Sequence, residues 1–252
     1  MDHFDVCVIG AGPAGFAAAI RAIDFGQRVA LIERHKVGGA GIFNGALSSK
    51  TLWELSESYK QVHATHLGYT VFDCDLNYSA VINEMHRAVA EKHTQMKQQI
   101  AYFQKQGKLQ YFQGHAKFLS PHQIDIDLGE DRHHEIHADH AVLAIGSRPR
   151  YLPHIPIDER TILTSDGIAS LPDFPRSIVI LGAGVIGCEF ATIFSNYRKT
   201  KVFLIDKEER ILPFEDEDIS HAVAANLERN GVVIHHGASL EKMSIVDGKV
   251  EY

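Results

Sequence analysis

Two short stretches carry the residue types and spacings that point to chemistry. Gly10-Ala11-Gly12-Pro13-Ala14-Gly15 is a G-x-G-x-x-G pattern, and Gly182-Ala183-Gly184-Val185-Ile186-Gly187 repeats it later in the chain. In such a pattern the first glycine makes a tight turn and the second lets the backbone approach a pyrophosphate. The third lets the following helix pack closely on the strand before it. Free backbone N–H groups and the positive end of the helix dipole then face the phosphates. Each stretch is followed, roughly 20 residues on, by a carboxylate placed to accept ribose hydroxyls, Glu33 and Asp206 respectively.

The elements that must position these residues are legible around them. Residues 4–9 (FDVCVI) form a short apolar run, residues 14–23 have helical character, and residues 28–32 (RVALI) deliver Glu33. Strand, turn, helix, strand and acid in that order are what make the glycine pattern informative. The same order returns at residues 177–181 (SIVIL), at the helix CEFATIF and at residues 201–205 (KVFLI), which end in Asp206. The two acids predict two dinucleotide units. An acid at position 206 also favours NAD over NADP, because it accepts the 2′-hydroxyl and repels a 2′-phosphate, although Lys207 beside it softens that preference.

Between the units, residues 38–53 (GGAGIFNGALSSKTLW) open a helix carrying Lys50, and helical stretches are expected through Gln106, with residues 84–105 as one amphipathic helix. From Lys108 the period changes to that of short strands, 109–119, 122–128 and 135–146, with turns at Ser120-Pro121 and Gly129-Glu130-Asp131. Residues 151–176 hold Pro153, Pro156, Pro172 and Pro175 and read as a linker. A helix over 219–229, a strand over 231–236 and short strands to Tyr252 complete the chain. The expected fold is α/β, with two Rossmann-like units and a three-stranded β-meander in the first. The expected domains are 1–152, a linker at 153–175, and 176–252.

Composition narrows the class. The chain has 252 residues, 45% hydrophobic and 23% charged, which is globular and long enough for a core. A net charge of -7 argues against nonspecific nucleic-acid binding. No apolar run reaches the ~20 residues of a membrane-spanning helix, and Met1-Asp2-His3-Phe4-Asp5 does not read as a signal peptide, so a soluble, cytoplasmic protein is expected. Cys7, Cys74 and Cys188 lie far apart with no CxxC pair, and Cys7 and Cys188 read as small core residues. His133, His134, His137 and His140 fall close together, but in a polar hairpin with no cysteine or dense carboxylate set, so no metal site is expected there.

VIGAGPAG, IERHKVGGAG, SSKTL, AVLAIGSRP, and TSDGI followed by IVILGAGVIGCEFA, in this order, resemble the pyridine nucleotide–disulfide oxidoreductases over essentially the whole chain. The dihydrolipoamide dehydrogenase, mercuric reductase and soluble transhydrogenase branches are the most similar. The resemblance implies FAD in the first unit and a nicotinamide, NAD, in the second. Cofactor-binding positions would be Gly10, Gly12, Pro13, Ala14, Gly15, Glu33, Arg34, Gly39, Ala40, Lys50, Ala116, Ala144, Ile145 and Gly146 for the flavin nucleotide. For the nicotinamide nucleotide they would be Gly182, Gly184, Val185, Ile186, Gly187 and Asp206. Lys50 would lie near flavin N5, paired with Glu189, and these two would be the catalytic pair. An ammonium there stabilises the negative charge of reduced flavin, and the carboxylate keeps it charged.

Two departures shape the expected function. The family's redox cysteines would fall at Gly41 and Ala46, so thiol–disulfide exchange through this segment is not expected. Hydride would instead pass from NADH to flavin and on to a non-disulfide, small-molecule electron acceptor, across a face lined by Gly41 and Ala46. Family members also continue past the position of Tyr252 into a dimerisation domain. The chain is therefore expected to be the N-terminal half of a longer, homodimeric protein. The alternatives are a catalytically silent nucleotide-binding module, or a dihydrolipoamide dehydrogenase using another thiol, for which Cys188 is the candidate.

Overall fold

Val29, Ala30, Leu31 and Ile32 are all buried, and this two-sided burial is what a parallel strand inside an α/β sheet requires. In the computed structural model, which describes residues 1–64, 68 and 70–252, these residues lie on β2 (Val29–Glu33). Val29 and Leu31 join one apolar cluster with Val8, Ala19, Ile23 and Val89, whereas Ala30 and Ile32 join another with Phe4, Phe112, Ile124 and Ile136.

The chain forms two compact units. The first comprises Met1–Leu47 and Arg87–Arg148, the second Ser48–His86 and Pro149–Tyr252. In the first, β1 (Asp2–Ile9), β2 and β3 (Leu109–Gln113) pair in parallel, and β1 also pairs in parallel with β6 (His133–Leu143). Antiparallel β5 (Gln123–Asp127) and β4 (His115–Phe118) continue from β6, giving a six-stranded order β3-β2-β1-β6-β5-β4. Helix α1 (Pro13–Asp24) starts with proline at its first turn, where no backbone donor is lost, and buries Gly15, Ala19 and Ile23 at a four-residue spacing.

Three sequence expectations are corrected here. Residues 109–119 are two strands, broken at Gly114. A Cβ there would lie 2.6 Å from the Asp127 carbonyl oxygen, so only glycine lets the chain leave the parallel ladder for the meander. The helix expected over 84–105 starts earlier: the helical stretches are α3 (Ala46–Val62) and α4 (Tyr78–Lys105), and residues 70–77 are not helical. Part of the helical reading through Gln106, residues 65–67 and 69, lies outside the described residues. Asn77 accepts the Ala80 N–H at 3.0 Å, capping α4 six residues before the start expected from periodicity. Finally, all four close histidines lie on strand β6, which starts two residues before the strand expected at 135–146, and three of them stand against aspartates: His133 faces Asp125, His134 faces Asp2 and His137 faces Asp139.

In the second unit β7 (Ser177–Leu181), β8 (Lys201–Ile205) and β9 (Val233–His235) form a parallel sheet in that order. Helices α5 (Val185–Tyr197) and α6 (Glu217–Arg229) belong with it, and a short hairpin joins β10 (Ser244–Val246) to β11 (Lys249–Glu251). Its core combines Phe190, Phe194, Leu204 and Leu227 with Leu52 of α3 and Met85 of α4. Among the described residues, no helix is long and apolar enough to cross a membrane.

Candidate functional site: two matched glycine turns and a lysine–glutamate pair

Gly10 and Gly182 adopt φ +103° and +100°, a region that side chains avoid, and each donates its N–H to the end of the neighbouring strand, at Ile32 and Ile205. Gly12 and Gly184 are the N-caps of α1 and α5, both extended, with φ near -70° and -76°. A Cβ at Gly15 would overlap the Gly10 carbonyl, and one at Gly187 the Gly182 carbonyl. The third glycine of each pattern is thus fixed by close packing. A Cβ at Gly12 or Gly184, in contrast, would meet nothing. Open space over the second glycine, beside uncapped helix N–H groups, is the arrangement that suits a pyrophosphate.

Both acids tie back to their turns. Glu33 Oε2 accepts the Ala11 N–H at 2.8 Å and its Oε1 accepts the His35 N–H at 2.8 Å. Asp206 repeats this, Oδ2 accepting from Ala183 N and Oδ1 from Glu208 N at 2.9 Å. Each carboxylate oxygen keeps a second lone pair for a ribose hydroxyl. Lys207 is 3.4 Å from Glu208 and points into solvent.

Around the first turn the structure gathers several expected residues. Gly38 donates to the Ala11 carbonyl at 2.8 Å, and a Cβ on Gly39 would lie 3.2 Å from Gly12 Cα. Ala144 donates to Ile9 O at 2.9 Å and lies against Gly10, with Ile145 and Gly146 following, both exposed. Gly114 donates to the Glu33 carbonyl at 2.9 Å and leads into Ala116 on β4. Pro13, Ala14, Arg34 and Ala40 are exposed, as are Val185 and Ile186 at the second turn.

Lys50 and Glu189, which nothing in the local sequence joins, meet in the second unit. Lys50 Nζ is 2.6 Å from Glu189 Oε1, and Ser49 donates its hydroxyl to the same oxygen at 3.2 Å. The docking of α3 on α5 produces this. Asn196 donates to Ser56 Oγ at 3.1 Å and to Glu57 Oε1 at 2.6 Å, and the Tyr59 and Tyr197 rings lie 5.7 Å apart. Residues 49 and 56 face 189 and 196, seven positions on in both helices, so each pair recurs after about two turns. Ser49 was not among the candidate residues. Its only sequence signal is its place beside Lys50.

Two of the three cysteines, Cys188 among them, are buried. Cys188 is buried and donates to the Ala183 carbonyl at 3.4 Å, and burial pushes its thiol up to about 11. Cys7 is wholly buried on β1, its thiol pushed up to about 12 for the same reason. Neither presents a thiolate near neutral pH. The stretch that carries Lys50 forms two helices, α2 (Gly39–Phe43), with Asn44 as its C-cap, and α3 from Ala46. A Cβ on Gly41 would stand 2.5 Å from Pro13 Cγ.

Comparisons with known proteins give the chain's family. The family described as pyridine nucleotide-disulphide oxidoreductase covers residues 4–252, and the chain belongs to it. It is 34% identical over 242 residues to a dihydrolipoyl dehydrogenase of Bacillus subtilis (strain 168), covering 94% of this chain and 51% of the relative. It is 35% identical to a soluble pyridine nucleotide transhydrogenase of Chromohalobacter salexigens, covering 96% and 51%. The copper(II) complex of the HOCl-induced flavoprotein disulfide reductase RclA from Escherichia coli superposes with a TM-score of 0.81 at 26% identity, over 99% of this chain and 53% of that one. The chain spans about half the length of the curated relatives it matches.

Proposed function

We propose that the protein to which this chain belongs is a flavin-dependent oxidoreductase that takes hydride from NADH and delivers it to a small-molecule acceptor other than a disulfide. FAD belongs to the first glycine turn, with Glu33 on its adenosine ribose, and NAD to the second, with Asp206 on its ribose. When bound, FAD supplies the two-electron carrier between donor and acceptor. Lys50 contributes an ammonium that offsets the negative charge developing on reduction, and Glu189, which also accepts the Ser49 hydroxyl, keeps that ammonium aimed.

The observation that carries the reading is the retained Lys50–Glu189 contact in a segment with no thiol. A lysine–glutamate pair at 2.6 Å serves hydride transfer whether or not a disulfide follows. Gly41 and Ala46 stand where the family resemblance puts the redox cysteines, and the buried Cys7 and Cys188 offer no substitute. Pairing of Lys207 with Glu208 leaves Asp206 to decide the nucleotide, which supports NAD over NADP.

In sequence order we assign residues 1–152 to the FAD-binding domain, 153–175 to the linker and 176–252 to the nicotinamide-binding domain. The full protein is taken to be a cytoplasmic homodimer, without a nucleic-acid or membrane partner. The test is anaerobic addition of NADH to the full-length protein. Purification as a yellow protein whose flavin band bleaches within the mixing time supports the reading. A colourless protein that binds nucleotide without hydride transfer overturns it in favour of a silent binding module.

A further inference from the structure

Strands β1 and β6 run parallel with His3 opposite His137, so the two imidazoles share a face of the first sheet, and Asp139, two residues on, returns to that face. His3 Nε2 lies 3.0 Å from Asp139 Oδ1, and His137 Nδ1 lies 3.9 Å from the same oxygen. One ligand atom from each of the three residues falls within 4.8 Å of the other two. Among the described residues, His137 Nδ1 is moreover buried with no hydrogen-bond partner. A buried ring nitrogen that has lost water and gained nothing is uncommon in a folded chain, and here it lies 3.9 Å from a carboxylate oxygen, with a second imidazole beside its ring.

The geometry points to a site for a divalent transition-metal ion, of the class of Zn²⁺ or Co²⁺, formed by His3, His137 and Asp139. Two imidazoles and one carboxylate suit such ions, and the fourth position is left to water. Ligand atoms around a tetrahedral ion at ordinary bond lengths stand about 3.4 Å apart, and the two spacings to Asp139 bracket that value. His137 is held in place by its stack on His122, at 5.7 Å, while His122 itself bonds the Ala138 carbonyl. His3 stacks on His137 as well, at 5.0 Å and 16°. Its half-exposed ring must turn out of that stack so that both lone pairs converge, exchanging one hydrogen bond for a metal bond.

The site lies at the opposite end of β1 from Gly10, roughly 20 Å away along an extended strand. An ion there clamps the start of β1 to β6 and takes no part in electron transfer. It is invisible to local spacing because His3 and Asp139 are 136 positions apart.

The experiment is titration of the purified protein with Co²⁺, followed by its visible d–d absorption, then displacement with Zn²⁺. The expected result is one ion per chain with the spectrum of a tetrahedral nitrogen and oxygen site. His137→Ala and Asp139→Asn should each weaken binding by more than about tenfold. His3→Ala, at a half-exposed position that folds regardless, should do the same. His133→Ala, on the same strand but paired with Asp125, should bind as the unaltered chain does. Zn²⁺ should raise the melting temperature of the unaltered chain and leave that of His3→Ala unchanged. Absence of the bands, equal binding by His3→Ala, or a thiolate-to-cobalt charge-transfer band would each overturn the assignment.

Discussion

Lys50 Nζ and Glu189 Oε1 lie 2.6 Å apart although 139 positions separate the two residues in the chain. The lysine is 62% exposed and the glutamate 14% exposed, so the contact is screened by solvent on one side only. A half-exposed ion pair contributes about 0–1 kcal/mol to stability. Lys50→Met and Glu189→Gln should therefore leave thermal unfolding nearly unchanged. In the full-length flavoprotein Lys50→Met should slow anaerobic flavin reduction by NADH by on the order of a hundredfold. Stopped-flow absorbance separates the two roles. A large loss of melting temperature with an unchanged reduction rate would make the pair structural.

Gly41 faces the rigid ring of Pro13, with 2.5 Å between its hypothetical Cβ and Pro13 Cγ. Putting cysteines back at 41 and 46 should not restore a working disulfide. Gly41→Cys should destabilise the first unit by about 1–3 kcal/mol through overpacking. Chemical denaturation measures this, and thiol counting on the double variant Gly41→Cys, Ala46→Cys should find both thiols free under mild oxidation. Relief should follow from adding Pro13→Ala to the same variant.

Asp206 accepts two backbone N–H groups, from Ala183 and Glu208, besides any ribose hydroxyl. Asp206→Ala should cost about 1 kcal/mol per lost hydrogen bond and weaken NADH binding more than NADPH binding. Asp206→Asn keeps an acceptor oxygen, so it should hold stability closer to the original while still narrowing the NADH preference. Titrations with each nucleotide, followed by tryptophan or nicotinamide fluorescence, give the ratio.

His133 has its pKa raised by the Asp125 carboxylate, which both hydrogen bonds to it and attracts its charge. A raised folded value means the contribution is fully present below the unfolded pKa of about 6.5 and is lost as pH rises through the folded value. Thermal melts of His133→Gln should therefore fall below those of the unaltered chain near pH 5.5 and converge with them above about pH 8. A difference that grows with pH would contradict the Asp125 pairing.

Both glycine turns, their strands and helices, and the acids that follow them were legible in the order of residues alone. Those features are local: φ of +100° or more at Gly10 and Gly182, and a third glycine packed on the first, are properties of six consecutive residues. The glycine and alanine in place of the family's cysteines were equally plain. What lies far apart in the chain needed the folded structure. Only the docking of α3 on α5, through Asn196 with Ser56 and Glu57, brings Ser49 and Lys50 onto Glu189. The split at Gly114 depends on the Asp127 carbonyl across the hairpin, which no periodicity in residues 109–119 records. The pairing of the β6 histidines was not legible in the polar hairpin pattern, because their aspartate partners come from β1, β5 and two residues along β6 itself. Backbone demands are written in neighbouring residues, whereas side-chain encounters depend on which strands and helices pack together.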